Sequence, residues 1–249
     1  MPTATFRFYE ELNDFLPRHR RKTDFQAGFT GRRSIKDMIE SLGVPHAEVD
    51  LILVNGESVG FDYIVQDGDR VSVYPIFESL CIQNVTRLRN IPLRRTKFIA
   101  DSNLRKIVQY MRALGFDVFS HPSLSHQKII EVSKKENRII LTMSRKLLKF
   151  KDVTHGIFIR PGTTEEQIKR ILDLLDIRKS IKPFSRCLRC NSLLKTVGKE
   201  EIAARIPPKV KAFCDDYSYC SSCDKIYWEG IHFTEMKRVI DRILGHPES

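Results

Sequence analysis

The chain has 249 residues, 41% of them hydrophobic and 29% charged, with a formal net charge of +11. It is long enough for two modest domains and a small one, and too apolar for a disordered chain. No run of about 18 apolar residues occurs, which excludes a membrane-spanning helix. The opening MPTATFRFYEEL has no basic start followed by an apolar core, so it does not read as a signal peptide and a cytoplasmic location is expected.

Residues 3–9 alternate, with Phe6 and Phe8 on one face, as a half-buried strand does. The basic run Arg18-His19-Arg20-Arg21-Lys22 reads as a loop, either solvated or in touch with a phosphate backbone. Ser34 opens a helix over Ile35, Met38, Ile39 and Leu42, with Asp37 placed as in a capping box and Gly43 at the stop. An apolar strand over residues 51–54 ends in the hairpin pair Asn55-Gly56, and Asp67-Gly68 turns into a strand over residues 70–74. The order strand, strand, helix, strand, strand, with the string VNGESVGFDYIVQDGDRVSVYP, resembles the ubiquitin-like β-grasp sulfur carriers. Carriers end in Gly-Gly, whose carboxylate is activated. Here that point reads Tyr74-Pro75-Ile76-Phe77-Glu78-Ser79 and the chain runs on, so carrier chemistry is excluded. Docking or scaffolding remains for this first domain, residues 1–79.

Residues 80–96 carry Arg87, Arg89, Arg94 and Arg95 around Pro92 and read as a basic linker. Residues 97–182 then alternate strand and helix. The apolar run Phe98-Ile99-Ala100 stops at Asp101, and Leu104, Ile107, Val108, Met111 and Leu114 recur at helical spacing before Gly115. Asp101 is thus at the carboxyl end of a buried strand, where open α/β sheets bind ligands, unless it merely caps the helix. Further apolar strands are expected over residues 117–120, 138–141 and 157–159, with helices opened by Ser125 and by Thr163 or Thr164. Such alternation argues a parallel sheet covered on both faces. Residues 1–79 carry 9 basic and 13 acidic side chains, residues 80–186 carry 23 and 9, and residues 187–249 carry 10 and 9. The whole positive excess therefore surrounds Asp101, which points to a polyanion partner, most simply nucleic acid.

Residues 183–249 break the pattern. Cys187-Leu188-Arg189-Cys190 and Cys220-Ser221-Ser222-Cys223 are two C-x-x-C pairs, 29 residues apart, able to close one tetrahedral zinc site. A lone pair would suit redox exchange; two suit a metal. Helical pieces over residues 200–205 and 207–213 are expected between the knuckles, and a packed helix over residues 236–244. Cys81 and Cys214 read as ordinary buried thiols, and His232, close to the ribbon, as structural.

Together, the β-grasp unit, the strand–Asp101–helix unit and the two-knuckle ribbon resemble the Mut-seven C-terminal RNase-like family, a branch of the PIN-like nucleases. The resemblance is carried by residues 98–115 and 138–142, by Pro183-Phe184-Ser185-Arg186-Cys187 and by Tyr227-Trp228-Glu229-Gly230-Ile231-His232. It implies an α/β fold: a PIN-like parallel-sheet domain (97–182), preceded by a ubiquitin-like α+β domain and followed by a small zinc ribbon with a C-terminal helix (183–249). It also implies metal-dependent ribonuclease chemistry, in which carboxylates at the strand ends hold magnesium or manganese. This sequence departs from that pattern. Asp101 is kept, but an acid-rich stretch is replaced by His121-Pro122-Ser123-Leu124-Ser125-His126-Gln127. Where the family has Thr-Arg-Asp-Arg, this chain has Thr142-Met143-Ser144-Arg145, and Arg105 replaces a small residue.

Three readings follow. The first is an RNA-binding protein on a PIN-like scaffold with weak or absent cleavage, holding phosphates with Arg105, Lys106, Arg112, Arg145 and Lys146. The second is an active ribonuclease in which Asp101, as catalytic residue, is completed by Asp152, His121 or His126 around magnesium or manganese. The third is an adaptor whose β-grasp unit and zinc ribbon dock protein partners, its basic face being incidental. Zinc on Cys187, Cys190, Cys220 and Cys223 is structural in all three, and no membrane is involved.

Overall fold

The computed structural model describes residues 1–75 and 96–245. The basic linker expected over residues 80–96 falls almost wholly outside them, as does Cys81. None of the described helices is long and apolar enough to cross a membrane.

The first domain is built from β1 (Thr3–Phe8), β2 (Phe25–Gly28), α1 (Ile35–Ser41), β3 (Val49–Val54), β4 (Glu57–Ser58) and β5 (Arg70–Pro75). Its mixed sheet has the order β2-β1-β5-β3-β4, with β1 parallel to β5. Alternation puts Phe6, Phe8, Ile52, Val71 and Val73 on the face that α1 covers with Ile35, Met38 and Ile39. Ser34 Oγ accepts the Asp37 N–H at 3.1 Å, one half of the expected capping box. Asn55 and Gly56, both at positive φ, make the tight turn into β4.

The second domain runs β6 (Lys97–Ala100), α2 (Arg105–Ala113), β7 (Asp117–Phe119), α3 (His126–Glu136), β8 (Ile139–Thr142), α4 (Arg145–Leu148), β9 (Gly156–Phe158) and α5 (Thr164–Leu174). All strand pairs are parallel, in the order β7-β6-β8-β9. Neighbouring residues of one strand serve opposite faces. Phe98, Ile139 and Leu141 join Ile107, Met111, Ile168 and Leu172 on one side, while Ile99 and Ile140 join Ile129, Leu147 and Leu148 on the other. Ser125 caps α3, and Thr163 with Glu166 forms a full capping box on α5.

The third unit is a ribbon of β10 (Lys195–Val197), β11 (Tyr217–Cys220) and β12 (Lys225–Trp228), antiparallel in that order. Two short helices, α6 (Lys199–Ile202) and α7 (Pro208–Lys211), lie between its first two strands, as expected. The last helix, α8 (Ile231–Leu244), begins at Ile231 rather than near Met236 and packs Ile240 and Ile243 into the cluster of α2 and α5.

A four-stranded open sheet has two edges with unpaired backbone groups. Both are closed here by side chains from the flanking units. Asn191 Oδ1, beside the first knuckle, accepts the Val118 N–H of β7 at 3.0 Å. Glu48 Oε1, in the first domain, accepts the Phe158 N–H of β9. Around Glu48 the junction continues: His46 Nε2 donates to Val153 O at 2.8 Å, Lys149 Nζ donates to Glu40 O at 2.8 Å, and the Phe15 and Phe158 rings are 5.5 Å apart. Burial pushes the Glu48 carboxyl up to about 7, against the opposing pull of the Phe158 N–H and the Arg160 guanidinium.

Candidate functional site

The carboxyl end of the parallel sheet is organised by Asp101, the residue after β6. It is 8% exposed, and its Oδ2 accepts the hydroxyl of Thr142 at 3.0 Å. Thr142 closes β8, is fully buried, and its oxygen also accepts the Ser144 N–H at 3.0 Å. Asp101 makes no side-chain cap bond to the 3-10 turn over Ser102–Leu104 that leads into α2. The carboxylate is therefore held by the neighbouring strand, and the helix-capping alternative does not describe it. The sequence pointed to Asp101 but not to Thr142; strand pairing between β6 and β8 is what brings the two together.

The other candidates for this site are engaged elsewhere. Ser144 Oγ accepts the Leu147 N–H at 3.3 Å as the N-cap of α4. His121 is exposed and bonds to Ser123 Oγ at 2.7 Å, and His126 is exposed in the first turn of α3. Asp152 lies before β9, at the amino end of the sheet, paired with Lys134 at 3.1 Å. Magnesium and manganese want several charged oxygens. One carboxylate, with Oδ2 accepting the Thr142 hydroxyl at 3.0 Å and Oδ1 the Ser102 hydroxyl at 3.4 Å, beside neutral serine and threonine does not fit such an ion.

The five candidate phosphate contacts separate. Arg105 and Lys106 stand exposed in the first turn of α2, just beyond Asp101, and Lys146 is exposed after β8. Among the described residues, no acid pairs with any of these three. Arg145 is exposed but stacked, its guanidinium carbon 5.0 Å from the Phe15 ring centre and 5.2 Å from that of Phe158. Arg112 requires correction. It is 5% exposed and donates to Val118 O, to Leu188 O at 3.0 Å and to Arg189 O at 2.8 Å. Its charge is used inside the protein, to hold the first cysteine knuckle against α2 and β7.

The four knuckle cysteines converge with all sulfurs within 4.8 Å of one another. Cys187 and Cys223 are 3.5 Å apart, Cys190 and Cys220 3.3 Å. An ion bound through four sulfurs at about 2.3 Å sets them roughly 3.8 Å apart, so the donor set fits a tetrahedral thiophilic metal. Thiol acidity tells the same story. Burial opposes ionisation of Cys190, but hydrogen bonds from Ser192 and the neighbouring thiols draw it down to about 6. Cys223 is pushed up to about 12 by burial and by the other three sulfurs. Four thiolates share this space only around a cation. The Tyr227 hydroxyl donates to Cys187 Sγ at 3.1 Å, a supporting contact that the string containing Tyr227 did not reveal. Cys214 is half-buried, with its thiol donating to Glu229 O at 3.2 Å, and His232 is fully exposed, 3.6 Å from Glu235. Neither belongs to the cluster.

No curated protein and no solved structure gives a significant match to this chain. Two protein families do: the Mut7-C ubiquitin family over residues 1–81 and the Mut7-C RNAse domain family over residues 96–240. The second match takes in both the parallel sheet that carries Asp101 and the cysteine ribbon bolted to its β7 edge. The chain therefore belongs to the Mut7-C RNAse domain family, with a Mut7-C ubiquitin-like domain ahead of the RNase domain.

Proposed function

We propose that this protein binds RNA at the Asp101 end of its RNase-family domain and cleaves it weakly or not at all. Arg105, Lys106 and Lys146 hold backbone phosphates, and the cysteine cluster holds a structural zinc ion. The observation that carries this reading is the donor set around Asp101: a single carboxylate tied to Thr142, with the Ser144 hydroxyl taken as a helix cap. Phosphodiester hydrolysis in a nuclease of this kind depends on carboxylates that fix a dication and activate water. Cations that bind phosphate need no such metal, and Arg105, Lys106 and Lys146 stand exposed. Zinc would sit on Cys187, Cys190, Cys220 and Cys223. Four protein ligands leave no open position, so its chemistry is to fix the ribbon.

The test is retention of a labelled single-stranded RNA over a range of salt. The wild type should lose affinity steeply with salt, and R105S/K106S should flatten the log–log slope by about 1.4, two contacts at roughly 0.7 each. Binding indifferent to salt overturns the reading. Elemental analysis should give one zinc per chain.

A further inference from the structure

We propose that residues 18–22 of the ubiquitin-like domain form the second half of the RNA surface, continuing it across the domain junction with further phosphate contacts. This inference rests on the RNA-binding reading above and extends it to a part of the chain outside the RNase domain.

The first argument is position. A continuous path of contacts leads from Asp101 to this loop. Asp101 bonds to Thr142, and Thr142 accepts the Ser144 N–H. The next residue, Arg145, lies over Phe15 of the ubiquitin-like domain at 5.0 Å. Arg160, beyond β9, meets the same ring from its own side at 5.3 Å and donates to Glu11 O at 2.8 Å. The loop begins three residues after Phe15 and is tied back to the same turn. Lys22 N–H donates to Asn13 Oδ1 at 2.6 Å, and Arg21 Nε donates to Leu16 O at 2.9 Å. The loop is thus fastened to the turn whose Phe15 packs at the carboxyl ends of β8 and β9.

The second argument is charge. The ubiquitin-like domain is acidic as a whole, yet four of the nine basic side chains in residues 1–79 fall in this one loop. Among the described residues, no acid pairs with them. Two nearby acids are already engaged, Asp14 with Arg160 at 2.8 Å and Arg170 at 3.6 Å and Asp24 with Arg7 and Arg70, and Glu10 and Glu11 of the preceding turn form no ion pair with the loop. Arg18, His19 and Lys22 are exposed. Arg20 lies over Phe25 at 5.0 Å, which fixes its guanidinium while leaving its N–H groups to donate outward. Unpaired cations on a fastened loop lose little freedom when they meet an anion, and a chain of phosphates is the anion that also fits Arg105, Lys106 and Lys146. The proposed contacts are charge contacts to the phosphate backbone, which carry no sequence information by themselves.

The experiment uses the full chain and the same labelled RNA. R18S/K22N removes two exposed cations; asparagine is chosen because Lys22 has a φ of 56°, which asparagine tolerates. Its salt slope should be shallower than that of the wild type by about 1.4, so the affinity lost between about 50 and 200 mM salt shrinks roughly sevenfold. K135S/K151S, which removes two exposed cations at the amino end of the sheet, should keep the wild-type slope. If R18S/K22N keeps the wild-type slope while R105S/K106S loses it, this inference fails and the RNA-binding reading stands. A slope change equal to that of K135S/K151S means net charge alone is being read, and the inference again fails. A wild type that retains no RNA at low salt overturns both.

Discussion

The hydroxyl of Thr142 donates to Oδ2 of Asp101 at 3.0 Å, from the end of one parallel strand to the end of its neighbour. This bond holds the carboxylate of a nearly buried acid and uses the same oxygen that receives the Ser144 N–H. Thr142→Val keeps the shape and removes both bonds. It should lower the free energy of unfolding by about 1–3 kcal/mol in urea titrations, the cost of leaving a buried polar group unsatisfied. Thr142→Ser should retain most of that stability.

Glu48 gives the domain junction a pH dependence of known sign. Its carboxyl is raised from 4.5 to about 7, first by burial. The folded state therefore favours the protonated form. Its stabilising contribution is complete below pH 4.5 and is lost as pH rises through about 7. Glu48→Gln keeps an oxygen to accept the Phe158 N–H and cannot ionise. The variant should become more stable than the wild type as pH rises, by up to about 3 kcal/mol at pH 8. Matched urea curves at pH 4.5 and pH 8 check this; a constant difference between the two proteins would contradict it.

Arg112 should behave as a support of the cysteine cluster and not as an RNA contact. Arg112→Lys offers one ammonium where a guanidinium now reaches three carbonyls. Zinc affinity, measured by chelator competition, should fall about 10–100-fold, as for other outer-shell partners. In Arg112→Gln, which removes the charge, the salt slope of RNA binding should not change, whereas a lost phosphate contact would lower it by about 0.7.

Much of the architecture was legible in the sequence because it is local. Helical periodicity located α2 and α5, and Ser34, Ser125 and Thr163 announced their helices through side-chain caps. Paired knuckles announced the cysteine cluster. The charge of Arg112 suggests a surface cation, but its place decides: it lies four residues after Val108 and next to Met111, on the buried face of α2. The contacts that join the domains were not legible. Glu48 and Phe158, or Phe15 and Arg145, are more than a hundred residues apart, and no periodicity links them.

Restoring a missing acid should restore metal affinity. Ser144→Asp places a carboxylate beside the Asp101–Thr142 pair and can still cap α4, since aspartate is as good an N-cap as serine. Manganese binding, followed by calorimetry, should be tighter in Ser144→Asp than in the wild type, and tighter again with His126→Asp added. Equal affinity in all three proteins would show that these positions do not face a common ion.

The most direct measurement is incubation of the purified wild type and Asp101→Asn with a labelled RNA, with manganese and with chelator, reading retention and chain length together. The account predicts salt-sensitive retention by both proteins, with little or no shortening of the RNA under either condition. Efficient manganese-dependent degradation by the wild type, abolished in Asp101→Asn, would contradict it.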